Sequence, residues 1–500
     1  MLTFILGVNL FLSSSSLPLR SLSSYINLDD NTQVITLPNE PIFSSNELKL
    51  SSQCIHLVGG GSTHIETCST SLLLFDLTNS TLSLSNVNLR MNAEARLTAI
   101  DLQSSFTMSH SAIILETSMK PIVFSSGGSV SVSNVEIIAP TVNSVLSPFV
   151  SSCNMHTDII LSGISFSNAN LEIDAPFLSE GHSRSLSLSS STFTNVSSSL
   201  LRKQISSSSD TTQQLTSALV VGSNFDQTDA SYTGALFSTD RIRSLSVANS
   251  SFTRATLTSN GPTPLTESKS YTSTTFADLS NEGGSGGALI LNGDSDTATL
   301  TLTRCRFLRC VSPSDKEGGA ILAQKGKLVI VVSSFDSCSA GSGGAIATHS
   351  ATLSIADSSF TSCTATCKKW DDYSSEVYNS NADAPSEERV NGGGGALWLD
   401  FQTDYYLVSN TLFKTCSAPS FGGGVVIWPF DCRPPSYCRM VNLMFVGTNV
   451  LFDKTDRSGG ANIMFTTQQF SDGNQTQDYF QHKTNTLDGT RHLEGTFTGF

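Results

Sequence analysis

The chain has 500 residues and a formal net charge of −14, yet only 14 % of its residues are charged. That balance argues against nucleic acid or an anionic lipid surface as a partner, since both call for a basic face, and the acidity is read as a contribution to solubility. A chain of this length ordinarily divides into several domains, unless it repeats one short unit whose core grows linearly.

At the N-terminus, Leu2 to Leu12 is mostly apolar and is followed by a serine run from Ser13 to Ser16. This is the length of a signal-peptide hydrophobic region and too short to span a bilayer. No basic residue precedes Arg20, so a buried first strand is the competing reading; the expectation is a signal peptide over residues 1–20. No later stretch approaches about 18 apolar residues, so no integral membrane span is expected. Residues Gly495 to Phe500 carry no anchor or lipidation signal. The expected location is extracellular or at the cell surface, with the chain released or held non-covalently.

From about residue 80 onward an apolar-x-apolar-x-x-x-x-Phe phrase recurs. Clear copies are Leu245, Val247 and Phe252; Leu328, Ile330 and Phe335; and Leu353, Ile355 and Phe360. The last position of the phrase runs Leu89, Ile113, Ile137, Phe166, Phe193, Phe225, Phe252, Phe307, Phe335, Phe360, Phe413 and Phe445. The steps are 24 to 32 residues, except for two of 55 and 53 that are close to double. A hidden copy at Phe276 would divide the first of these, and the alternation from Gln33 to Leu37 extends the pattern toward the N-terminus. A period in this range marks one supersecondary unit stacked many times.

Within each unit the apolar residues alternate with Ser and Thr, which places Leu245 and Val247 on one face of a strand and the hydroxyls on the other. Four residues after the first apolar position stand Asn86, Asn134, Asn249, Asp357, Asn410 and Asn442, with Gly163 and Gly222 in the same place. These residue types tolerate a left-handed backbone, so a bend is expected there in copy after copy. Parallel stacking at roughly 4.8 Å per coil lets each short strand pair with the next, and twelve or more coils make a rod on the order of 60 Å long. Phe252, Phe307, Phe335, Phe360 and Phe413 should stack inside as a ladder. The Gly-Gly-Ala copies at Gly286, Gly318, Gly343 and Gly394, with variants ending at Val425 and Ala461, should form a tight corner entering the next strand. The repeat domain is expected over 21–465, interrupted by a polar insertion at about 364–391, with 466–500 a tail or irregular cap.

These residues resemble the G-G-A-[I/L/V] and F-x-x-N repeats of the chlamydial polymorphic membrane proteins, and more broadly the right-handed parallel β-helix, or pectin-lyase-like, repeat proteins. Phe166 is followed by Asn168 and Phe193 by Asn195, whereas Phe307, Phe335, Phe360 and Phe413 are followed, one residue further on, by Cys310, Cys338, Cys363 and Cys416. The resemblance covers about residues 160 to 465. It implies an all-β, single-stranded, right-handed parallel β-helix solenoid. It also implies a secreted or surface-displayed protein that presents loops to an unknown glycan or protein ligand. Family members of the first kind normally carry a C-terminal membrane barrel, and nothing in this chain looks like one.

Eleven cysteines are many for a cytosolic protein, and their odd number leaves at least one unpaired. Cys310, Cys338, Cys363 and Cys416 share one repeat position, which suits either inter-coil disulfides or a stack of buried thiols. Cys363 with Cys367, Cys432 with Cys438, and Cys54 with Cys68 are candidates for loop clips. No C-x-x-C pair or H-x-x-x-H partner accompanies them, so zinc is not expected. Sequons at Asn79, Asn195, Asn249 and Asn474 permit glycosylation in a eukaryotic secretory route.

Pectin-lyase-like enzymes would need clustered carboxylates or a basic residue with calcium ligands. The hydrolase signature is represented only by fragments, Gly181 to Ser183 and Arg241 to Arg243, without a matching Asp pair. Asp371 and Asp372 fall in the polar insertion, where two carboxylates are poorly held for glycoside hydrolysis. Asn292 to Asp296 lacks the further acidic ligand of a calcium loop and reads as a turn. No catalytic residue, cofactor or metal is therefore assigned. The candidate binding loop is the insertion, where Trp370, Tyr373 and Tyr378 lie near Lys368 and Lys369. The leading expectation is a non-enzymatic adhesion or recognition protein. A polysaccharide lyase or glycoside hydrolase on the same fold is the alternative, and a structural spacer the third reading.

Overall fold

The computed structural model describes residues 21–27, 30–44, 47–67, 73–91, 96–101, 103–115, 123–125, 128–138, 145–146, 150–152, 157–171, 178–180, 183–196, 201–203, 217–226, 244–257, 268–292, 298–367, 393–400, 406–419, 422–428, 438–450, 463–465 and 492–495. Alternating apolar and hydroxyl residues make short strands with one dry face. In Leu245–Ala248, for example, Leu245 and Val247 are buried while Ser246 and Ala248 are half-buried. Such a strand has no core of its own, so it pairs in parallel with its equivalents in the neighbouring coils, Ser217–Val221 and Lys269–Thr272. Repetition of that pairing makes an all-β parallel solenoid, in which the single turn Leu22–Ser24 is the only helical element among the described residues.

The largest sheet holds both the apolar strand and the Phe strand of each coil. A second parallel ladder runs from Leu48–Ser51 to Leu201–Lys203 along the N-terminal part. A third, in the C-terminal part, joins Leu289–Asn292, Ile321–Val331, Ile346–Thr348, Leu397–Asp400, Val425–Trp428 and Ile463–Phe465. The last described strand, His492–Gly495, instead pairs antiparallel with Cys438–Val446.

The expected ladder is continuous. Phe193, Phe225, Phe252, Phe276, Phe307, Phe335, Phe360, Phe413 and Phe445 pair in register. Their rings stack at centroid separations of 4.6 to 5.3 Å. Phe276 fills the first long step, as the sequence pattern anticipates. Toward the N-terminus the column continues through Phe166, Ile137, Ile113, Leu89 and Ile65 to Ile42. The second long step does not break the solenoid either. Phe360 and Phe413 stack at 5.1 Å, and Ile346 pairs directly with Leu397. The strands on the two sides of this step, Thr364–Ala365 and Leu397–Asp400, therefore pair with one preceding coil.

The expected bend is present at every predicted position, with φ of 48° to 55° at Asn86, Asn134, Asn249, Asp357, Asn410 and Asn442 and of 61° and 59° at Gly163 and Gly222. The same conformation also occurs at Ser190, Ser273, Arg304 and Val332, whose side chains carry no left-handed signal. From Phe252 onward, each Phe of the ladder is followed two residues later by a second bend of this kind, at Arg254, Asp278, Arg309, Ser337, Ser362, Thr415 and Gly447. At the Ser, Thr, Arg and Val positions stacking overrides local preference, because a coil that failed to bend would lose its register with both neighbours.

A bend interrupts the ladder and leaves backbone groups to satisfy. The residue after the first bend is commonly a buried serine, and it supplies the missing partner. Ser250 Oγ donates to the Ala248 carbonyl at 2.9 Å and accepts the Ser223 amide at 3.2 Å. Ser191 and Ser358 repeat the arrangement, accepting the amides of Ile164 and Ser333 in the coils before them, each at 3.1 Å. These serines point inward, whereas the repeat pattern placed hydroxyls on the outer face.

The glycine corners have two separate causes. The first glycine of each, such as Gly318 at φ 66°, takes the left-handed conformation. The second has no room for a side chain: a Cβ on Gly319 would lie 2.1 Å from the Gly344 carbonyl oxygen of the next coil.

Cys54, Cys305, Cys310, Cys338, Cys363 and Cys416 are free thiols. That corrects the clips expected between Cys363 and Cys367 and between Cys54 and Cys68, and it leaves the shared repeat position as a column of thiols rather than of disulfides. Cys363 Sγ turns into the core, donating toward the Phe335 carbonyl at 3.7 Å. Cys310, Cys338 and Cys416 make the equivalent contact with Phe276, Phe307 and Phe360 at 3.7, 4.0 and 3.5 Å. All four are fully buried, and burial pushes the thiols of Cys310 and Cys363 up. Cys68, Cys432 and the side chain of Cys438 lie outside the described residues.

Two outcomes test this architecture. Phe335→Ala removes one ring from a continuous stack and should cost roughly 3 to 5 kcal/mol, read as lost hydrogen-exchange protection in the adjoining coils. Val332 is β-branched at φ 52° and 50 % exposed. Val332→Asn should therefore raise stability by about 1 kcal/mol in chemical denaturation.

Candidate recognition surface

Because side chains alternate along each strand, the outer face of the large sheet is as regular as the core. Ser83, Thr107 and Ser131 follow one another in register, flanked by Thr81, Ser105 and Ser129 on one side and Ser85, Ser109 and Ser133 on the other. The central column continues through Ile160, Ser187, Leu219, Ser246, Ser270, Thr301, Val329 and Ser354. Hydroxyls in this wall bond from coil to coil: Ser105 Oγ donates to Thr81 Oγ1 at 3.0 Å and Ser109 Oγ to Ser85 Oγ at 3.3 Å. The sequence places Ser83, Ser131, Ser187, Ser246, Thr301 and Ser354 here, and all are half-buried. It does not single out Ile160 and Leu219, which stand 48 % and 44 % exposed on either side of Ser187.

At the rims, polar side chains at the bends form ladders of their own. Asn442 Nδ2 donates to Asn410 Oδ1 at 2.8 Å, and Asn410 Nδ2 to Asp357 Oδ1 at 3.0 Å. At the second bend, Arg254 Nε donates to Asp226 at 2.7 Å and Arg309 Nη2 to Asp278 at 2.8 Å. The Arg309 guanidinium holds the Asp278 carboxyl below its ordinary value.

Glu317 and His349 are paired through Oε2 and Nε2 and buried, while Glu317 Oε1 and Trp398 Nε1 have no hydrogen-bond partner. Trp398 belongs to a separate apolar cluster with Ile290, Leu322, Ala347 and Val426. These residues face away from the main core. Part of their cover is the glycine corner itself, since a Cβ on Gly286 would meet Ile290 Cγ1 at 2.8 Å. Among the described residues no three His, Cys, Asp or Glu side chains converge to hold a metal ion. No helix among them is long and apolar enough to cross a membrane.

The expected binding loop, with Lys368, Lys369, Trp370, Tyr373 and Tyr378, lies outside the described residues, as do Asp371, Asp372 and Arg241 to Arg243. Cys367 and Gly393 belong to one coil: the Cys367 amide donates to the Gly341 carbonyl and the Gly343 amide to the Gly393 carbonyl, so both register with the same preceding coil.

No protein-family model matches the chain, and no curated protein matches it. A search of solved structures finds a crystal structure of PfbA, described as a surface adhesin of Streptococcus pneumoniae, at 9% identity. The alignment covers 86% of this chain and 82% of that one with a TM-score of 0.19, and at that score it carries no argument.

The Asp278–Arg309 contact gives a pH prediction. A carboxyl whose folded value is depressed contributes stability that is present above the unfolded value of about 4 and is lost as pH falls through the folded value. Asp278→Asn should remove this contribution near neutral pH and narrow the difference from wild type in acid, as read by thermal unfolding across pH. The effect should be small and reduced by salt, because both side chains are well exposed.

Proposed function

We propose that this protein is a secreted or cell-surface β-solenoid that acts by recognition rather than by catalysis, displaying its wall and inserted loop to a glycan or protein ligand. The observation that carries this reading is the outer wall, where one coil after another offers neutral hydroxyls with occasional apolar rungs such as Ile160 and Leu219. Hydroxyls can exchange hydrogen bonds with a polar ligand but supply neither general acid nor base near neutral pH. A stack of rigid coils also holds its loops at defined heights, which lowers the ordering cost of binding.

The reading includes a leader over residues 1–20 and a right-handed coil, the hand that parallel crossovers favour. Its ligand contacts centre on the insertion, where Trp370, Tyr373 and Tyr378 beside Lys368 and Lys369 provide amphipathic aromatics of the kind enriched at interfaces.

The test is a glycan array with purified protein, run beside pectin and alginate cleavage assays with and without calcium. The expected outcome is binding without release of unsaturated sugars or new reducing ends, and loss of that binding on deletion of residues 368–388. Cleavage abolished by one Asp or Arg substitution on the wall would replace this reading with the enzyme.

A further inference from the structure

Cys54 differs from the other described cysteines. Cys305, Cys310, Cys338, Cys363, Cys367 and Cys416 are buried, whereas Cys54 is partly open on the outer wall. Its Sγ lies 3.3 Å from His56 Nε2, two residues along the same strand and on the same face. We propose that Cys54 and His56 form a thiol–disulfide exchange site that captures small disulfides, and accessible disulfides of the same chemistry, as a mixed disulfide.

The fold supplies the positioning. Cys54 and His56 lie on a strand paired on both sides, with Thr32 and Val34 in register before them and Thr81 and Ser83 after. Their relative orientation is therefore set by two rows of backbone hydrogen bonds rather than by a loop. None of the four register neighbours is titratable, so none competes for the imidazole or blocks the sulfur with a bulky charged chain. A nucleophile with a base in hydrogen-bond reach is the arrangement that activates a thiol.

The step balances without a further reagent. The Cys54 proton passes to His56 Nε2 and the thiolate attacks one sulfur of the disulfide. The Cys54–sulfur bond forms as the original sulfur–sulfur bond breaks, and the departing thiolate takes the proton from the imidazolium. Cys54 is oxidised and the released thiol is the reduced product.

The experiment treats the full chain with glutathione disulfide and follows each cysteine by peptide mapping, with reduced and denatured protein as the reference. Cys54 should acquire one glutathionyl group at least roughly tenfold faster than Cys310 or Cys338, and His56→Gln and His56→Ala should each slow it roughly tenfold with thermal unfolding unchanged. Cys54→Ser should abolish the adduct at that peptide. The proposal is overturned if Cys54 reacts no faster than the buried thiols. It is equally overturned if both His56 variants, folded as wild type, leave its rate unchanged.

Discussion

The structure depends on one constraint, that each coil lies in parallel register on the one before it. In that arrangement a residue is always covered by its own equivalent, so every position in the repeat becomes a column. Apolar positions become the aromatic stack from Phe193 to Phe445, and outward hydroxyls become the wall. The cost of a bend is likewise repeated in every coil, and the chain meets it with a repeated device. Where a bend removes a ladder partner, a buried serine such as Ser223 or Ser250 accepts the amide of the coil before.

The same register explains the tolerance of the fold. Phe276 preserves the column although its coil carries Lys269 and Tyr271 at positions that are Leu or Val in the coil before. Burial raises the Tyr271 phenol, and Lys269 is itself buried. Neighbouring coils hold such a unit in place because most of its contacts are with them. For the same reason the stack keeps its register across the second long step, with Ala340 on Ala365 and Ile346 on Leu397.

The outer surface of the described residues carries more than one kind of chemistry. The central column of the wall is mostly neutral, and hydroxyls flanking it bond from coil to coil at Ser105 and Ser109. Near the N-terminal end, Cys54 and His56 introduce a nucleophile and a base into the same regular lattice. The pairing is visible only when the two are placed on one face, since a Cys-x-His spacing has no meaning until the segment is known to be a strand.

The sequence alone determined the repeat, the inward Phe column and the bend at Asn86, Asn249 and Asn410, because each is a local pattern whose physics acts within a few residues. It also marked the glycine corners, for which left-handed backbone is a local requirement. Tertiary structure alone decided the bends at Val332, Arg309 and Ser362, which local preference opposes and register imposes. It turned Ser191 and Ser250 inward, because only stacked coils bring an unpaired amide to their hydroxyls. It left Cys310, Cys338, Cys363 and Cys416 as thiols facing the Phe carbonyls. These contacts join residues some 25 to 56 positions apart, and no pattern within one repeat encodes which neighbour the next coil will bring.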